Sequence, residues 1–109
     1  MKFCVKNNER HGTCYFEFQK GKFRNKYWVK NNLCLPEDIF DELKLYDLFS
    51  KVVLHFDYYG LNELTKKQWL QIKNESKKIG GNVEEAITEI DIWINTVLPD
   101  EPIISVLGI

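Results

Sequence analysis

The sequence predicts an α+β domain: a mostly antiparallel sheet of about five strands, in the order βββ-α-β-α-α-β, with helices packed on one face. Three observations carry that prediction. Aromatic and β-branched alternation fills the first third, helix-start signals followed by apolar residues at helical spacing fill the last half, and a short uncharged β-branched run comes last. The 109 residues fit one hydrophobic core, so a single domain over 1–109 is expected.

Lys2–Lys6 reads as a strand and the polar stretch Asn7–Gly12 as a turn. Thr13–Gln19 is a second strand with Cys14, Phe16 and Phe18 on one face and Tyr15 and Glu17 on the other. Lys20-Gly21-Lys22 signals a tight turn into a third strand, Phe23–Lys30, closing an antiparallel hairpin. Pro36 with Glu37 and Asp38 opens a helix whose apolar stripe is Ile39, Phe40, Leu43 and Tyr46. Lys51–Tyr59 alternates Val52, Leu54, Phe56 and Tyr58 against Val53, His55, Asp57 and Tyr59, as a central strand would. Thr65 and Gln68 form a capping box for a helix buried along Trp69, Ile72 and Ile79 and ended by Gly80-Gly81. Asn82 and Glu85 give a second capping signal, and Val83, Ile87, Ile90, Ile94 and Val97 recur at steps of four and three. Pro99 and Pro102 stop that helix, and Ile103–Leu107 reads as a buried final strand.

With 44% hydrophobic and 28% charged residues, and only 6 Gly and 3 Pro, the composition is that of a globular chain and not a disordered one. The opening MKFCVKNNERHG lacks the apolar run of a signal peptide and no stretch is long and apolar enough to span a membrane, so a cytosolic protein is expected. Cys4, Cys14 and Cys34 are odd in number and form no CxxC pair, which favours reduced thiols used as small core hydrophobes over a disulfide framework. The net charge of −1 conceals a polarity: residues 1–34 carry eight Lys or Arg against two acids, while residues 35–109 carry seven against fourteen. Asymmetry of this kind bears on partners and association rates.

The catalytic inventory is thin. His55 and Asp57 share a strand face, but no nucleophile or pocket accompanies them, so a hydrogen-bonded strand histidine is the simpler account. Cys4, His11, Cys14 and Cys34 do not follow the spacing of a structural zinc knuckle, and no cofactor motif is present. Lys22, Arg24, Lys26 and Trp28, in the basic aromatic hairpin 20–30, combine cations with aromatics as single-stranded nucleic acid requires. Strand alternation turns Phe23, Asn25 and Tyr27 to the face opposite Lys22, Arg24, Lys26 and Trp28, and the chain is slightly acidic overall, against the basic balance of a dedicated nucleic-acid binder. Glu84, Glu85, Glu89 and Asp91 flank the apolar stripe of the last helix, with Asp100 and Glu101 beyond it; they are expected to form a one-signed face that steers a basic partner and is dispensable to the fold. Tyr58 and Tyr59, with Leu61 and beside Asp57 and Glu63, are candidate aromatic anchors of an interface.

The run His55-Phe56-Asp57-Tyr58-Tyr59-Gly60, then Thr65-x-x-Gln68-Trp69, an acidic helix carrying Trp93, and the closing Leu107-Gly108-Ile109 together resemble small bacterial immunity proteins of polymorphic toxin systems, including those of contact-dependent growth inhibition. The resemblance covers roughly the last half of the chain and implies a cytosolic toxin inhibitor that binds one toxin domain, often a nuclease, and blocks its active site or substrate groove. Because such families vary widely in fold, it assigns no role to any single residue. The expectation is therefore a non-enzymatic protein without cofactor or metal, binding a basic toxin domain through Asp57, Tyr58, Tyr59, Glu63, Glu84, Glu85, Glu89 and Asp91. The alternative is a nucleic-acid-binding module on 20–30.

Overall fold

Alternate residues of an extended chain point to opposite sides, and in this protein that rule sorts the first long strand into two different environments. The computed structural model describes residues 1–29, 31–97 and 103–109. Lys30, the side chain of Val97 and the segment 98–102, with the expected stop at Pro99 and Pro102 and the acids Asp100 and Glu101, lie outside the described residues. The strands are β1 (Val5–Lys6), β2 (Tyr15–Lys20), β3 (Leu33–Pro36), β4 (Leu61–Thr65) and β5 (Ile103–Leu107); the helices are α1 (Glu37–Glu42), α2 (Leu45–Val52), α3 (Lys66–Ile79) and α4 (Gly81–Val97). The five strands form one antiparallel sheet in the order β1-β3-β2-β5-β4, an α+β fold.

Register decides the faces. Phe16 lies opposite Leu35, Phe18 opposite Leu33 and Val106, and Leu64 opposite Ile104, so these apolar side chains share one face. They merge into a single core with Phe40 of α1, Phe49 of α2, Ile72 of α3 and Ile90 of α4, all four helices contributing to this side. Phe40 stacks on Phe16 at 3.8 Å between ring centroids, and Phe49 meets Phe18 edge-on at 6.4 Å. On the other face Glu17, Gln19, Cys34, Ser105 and Leu107 are buried too, because the chain between β2 and β3 crosses over them.

Two expected strands are absent. Phe23–Lys30 does not pair with β2; its described residues run in a loop, and the strand beside β2 is β3. Lys51–Tyr59 is not a central strand either: Lys51 and Val52 end α2, and the chain turns from Val53 to Gly60 before β4 begins. The helical spacing of Leu45, Leu48, Phe49 and Val52 prevails over the alternation that follows it. Lys44, left-handed at φ 55, separates α1 from α2, so the expected single stripe breaks and Tyr46 turns outward.

α3 opens as expected. Thr65 Oγ1 accepts from Gln68 N at 3.1 Å, and Thr65 N donates to Gln68 Oε1 at 2.9 Å. Its buried stripe is Trp69, Ile72 and Ser76, whereas Ile79 is exposed. Gly80 and Gly81, both at positive φ, let α4 start directly behind α3, and Asn82 lies inside α4 and not at its cap. Ile87 and Ile90 are buried, with Val83 and Ile94 half-buried beside them.

Candidate protein-binding surface

The outer face of the sheet is organised by one carboxylate. Glu17, 1% exposed, accepts from Trp28 N at 2.8 Å, Val29 N at 3.0 Å and Asn32 Nδ2 at 2.6 Å. Gln19 Nε2 donates to Lys26 O at 2.8 Å, Ser105 Oγ to Gly21 O at 2.7 Å and Asn7 Nδ2 to Trp28 O at 2.7 Å. Side chains thus satisfy backbone groups that a sheet ladder would otherwise satisfy, which is why the segment after Gly21 does not become a strand. Asn25, Trp28 and Asn31 sit at positive φ, and for a residue as bulky as Trp28 that conformation persists only where its surroundings over-determine it. The Arg10 guanidinium completes the clamp, 4.0 Å from the Trp28 ring centroid.

The facing wall is the turn Asp57–Gly60. Buried Asn62 accepts from Asp57 N at 2.7 Å and donates to Asp57 O at 2.8 Å, while Asp57 Oδ1 accepts from Tyr59 N at 2.9 Å. Gly108 N donates to Gly60 O at 2.8 Å and Ile109 N to Tyr58 O at 3.0 Å, tying the chain after β5 to this turn. A Cβ on Gly108 would meet Tyr58 O at 2.1 Å, so only glycine allows that approach. Between the walls lies a cleft of 330 Å³ whose lining includes Cys14, Tyr27, Trp28, Tyr59, Leu61 and Leu107. Tyr59 is 75% exposed and Tyr27 64% exposed, two large aromatics at the mouth of the cleft.

The acidic groups do not form the expected single face. Glu89 collects the backbone: its carboxylate accepts from Lys2 N at 2.9 Å, Phe3 N at 3.1 Å and Cys4 N at 3.0 Å, seating the N-terminal segment on α4. Glu89 is therefore part of the fold, not a dispensable rim charge. Asp91 accepts from Trp69 Nε1 at 2.9 Å and pairs with Lys73 at 3.0 Å, and Glu85 pairs with Lys2 at 3.3 Å. α3 carries five lysines against Glu75 and separates the acids of α4 from those of residues 35–64, where seven acids face two lysines.

Within that second group Tyr58 is an organiser. Its Oη lies 2.7 Å from Glu37 Oε2 and 2.8 Å from Asp41 Oδ1 and donates its one proton between them, while its ring packs on Phe16 and Phe40. Burial, then the two carboxylates, hold the phenol above its ordinary pKa. Tyr58 is thus half-buried and internally bonded, and Tyr59 is the exposed member of the pair. Asp38, Asp41 and Glu42 are exposed on α1, as is Glu63 on β4. The expected site residues therefore divide: Tyr59 lines the cleft, Asp57 and Tyr58 belong to the turn that forms its wall, Glu63 is two residues from Leu61 on β4, and Glu84, Glu85, Glu89 and Asp91 belong to α4.

Tyr27, Trp28 and Cys14 as cleft residues, and α1 as the acidic neighbour, were not singled out from the sequence. One signal was available: Glu17 is a lone acid in the aromatic strand Tyr-Phe-Glu-Phe, a placement that calls for buried donors. In the described residues Lys22, Arg24 and Lys26 are exposed, but Trp28 is half-buried under Arg10, so Tyr27 is the exposed ring among the cations of the loop. His55 is left-handed at φ 62 in a turn and shares no strand face with Asp57. Among the described residues no group of three or more His, Cys, Asp or Glu is placed to hold a metal, and no helix is long and apolar enough to cross a membrane. Comparisons with family models, curated proteins and solved structures return no match.

Proposed function

We propose that this chain is a cytosolic immunity protein: a non-catalytic inhibitor that binds a basic toxin domain, a nuclease in the reading the resemblance implies, and occludes its working surface. The observation that carries the reading is the pre-organised aromatic cleft, whose Asp57–Gly60 wall is tied through Tyr58 to Glu37 and Asp41 of the acidic helix α1. Rigid aromatics give contact area at low entropic cost, and uncompensated acids speed the capture of a basic partner. The clamp on Trp28 and the bonded turn at Tyr59 mean that little ordering remains to be done on binding.

Co-expression with the product of the adjacent gene tests the proposal. The expected result is a stable co-eluting complex and rescue of growth; a toxic neighbour that neither binds nor is neutralised refutes it. Within such a complex, Asp38→Asn with Asp41→Asn and Glu42→Gln slows association in proportion to salt screening, and Tyr59→Ala speeds dissociation at a cost of about 2 kcal/mol. The exposed cations Lys22, Arg24 and Lys26 around Tyr27 favour one second reading, a nucleic-acid-binding loop. A salt-dependent gel shift with RNA, abolished by Lys22→Gln and Arg24→Gln together, supports that reading over the first.

A further inference from the structure

The two edges of the sheet differ. β1 is two residues long and runs straight into a 3-10 turn at Asn7–Glu9, so it offers no template for another strand. β4 is five residues long and pairs only with β5 among the described residues. Its alternation is clean: Asn62 and Leu64 are buried toward the core, and Leu61, Glu63 and Thr65 are exposed on the outer face. Leu61, 48% exposed, also lines the aromatic cleft, so the open edge and the cleft are continuous.

We infer that β4 is a strand-addition site: the partner pairs an extended segment with the edge that no described strand occupies, placing an apolar side chain beside Leu61 at the cleft and a Lys or Arg two residues away beside Glu63. The inference rests on the binding reading above and specifies the partner's chemistry. A strand laid against β4 sends alternate side chains to the outer face, where the spacing of two residues between Leu61 and Glu63 fixes an apolar and a basic residue two positions apart in the guest, their order following its direction. Charge complementarity selects that guest, because no ion pair or hydrogen bond engages the Glu63 carboxylate among the described residues, and residues 35–64 are strongly acidic. A second copy of this chain is a poor occupant, since fully overlapped antiparallel pairing of two β4 edges sets Glu63 against Glu63.

Selection of random decapeptides displayed against the whole protein tests this. The expected result is enrichment of apolar-x-basic or basic-x-apolar alternation. Affinity of the best synthetic peptide, read by fluorescence anisotropy, falls at least about tenfold on Glu63→Arg and on N-methylation of alternate peptide amides, and is unchanged on Glu85→Gln. Glu63 is exposed, so circular dichroism of Glu63→Arg should match the parent, and Glu63→Gln gives a milder second variant. Failure to enrich any such peptide, or affinity kept within about twofold after Glu63→Arg and N-methylation, overturns strand addition. The two proposals fail separately. A complex with the neighbouring gene product that is indifferent to Glu63→Arg removes the edge site and leaves the inhibitor reading, whereas edge-binding peptides without any such complex do the reverse.

Discussion

Replacing Glu17 should be among the most damaging single changes the protein can suffer, and the size of the effect follows from its three donors. The carboxylate lies at 1% exposure and accepts from Trp28 N, Val29 N and Asn32 Nδ2, with no cation among these partners. Hydrogen bonds to a charged group contribute about 1.5–3 kcal/mol each, and a buried donor left unpaired costs about 1–3 kcal/mol. Glu17→Gln keeps the shape but trades one acceptor oxygen for an amide donor aimed at a backbone N–H, at a cost of about 2–3 kcal/mol. Glu17→Ala strands all three donors over a small cavity and costs about 3–5 kcal/mol, a large share of the roughly 5–15 kcal/mol that holds a domain together. Urea titration gives these values directly, and thermal melting should show a fall of roughly 10–20 °C for the Gln variant. If both variants stay within about 0.5 kcal/mol of the parent, water reaches those donors and the buried clamp does not exist.

Glu89→Ala should free the N–H groups of Lys2, Phe3 and Cys4, costing about 2 kcal/mol and raising hydrogen exchange there, while Glu84→Gln and Glu85→Gln stay within about 0.5 kcal/mol; equal effects at all three would refute the assignment. Burial, reinforced by the charge of Glu17, pushes the Cys34 thiol up to about 12, and Tyr58 is raised as well, so the folded state holds protons that the unfolded state releases. Stability is then complete below the ordinary thiol value of 9.0 and declines as pH rises from there toward 12; the urea midpoint should drop across that window, less so in Cys34→Ala and Tyr58→Phe. One thiol in three, Cys14, should react promptly with a thiol-specific chromogen in the native protein, with Cys4 and Cys34 reacting only on unfolding. Because Cys14 lines the cleft, a bulky adduct there should block binding of the proposed partner, and unchanged binding would place the interface elsewhere.

What could be read from the sequence was whatever nearest neighbours decide. The Thr65–Gln68 box, the glycine pair after α3, the α4 periodicity and the β-branched β5 were all legible, because each rests on local chemistry. The third strand was misplaced because its competitor is remote: Glu17 and Gln19 bind the backbone of a segment 7–12 residues away, and no periodicity in 23–30 reports that. The segment 51–59 misled because Val52, Phe56 and Tyr58 contact the core in different ways, from a helix end and from a turn, while Leu54, 81% exposed, breaks the apparent face. Of the candidate site, Tyr59 stood out in its local sequence, whereas the cleft needed β5 to bring Leu107 beside Leu61.

The position of β5 also sets the order in which this molecule can be built. β5 lies between β2 and β4, hydrogen-bonded to both, yet it leaves the ribosome after both of them. Until it arrives, β4 has no partner strand among the described residues, and the Phe16–Phe18 face lacks Ile104 and Val106. A nascent chain synthesised as far as α4 therefore holds the strands β1-β3-β2 and the strand β4 not yet joined in one sheet, and closing the sheet requires contacts across more than 80 residues between Gln19 and Ser105. Such long-range pairing is slow, and it leaves apolar strand edges open to aggregation while synthesis continues. Release of a fragment lacking 103–109 should consequently yield insoluble protein and not a weakened domain, making β5 the keystone of biogenesis as well as of the sheet.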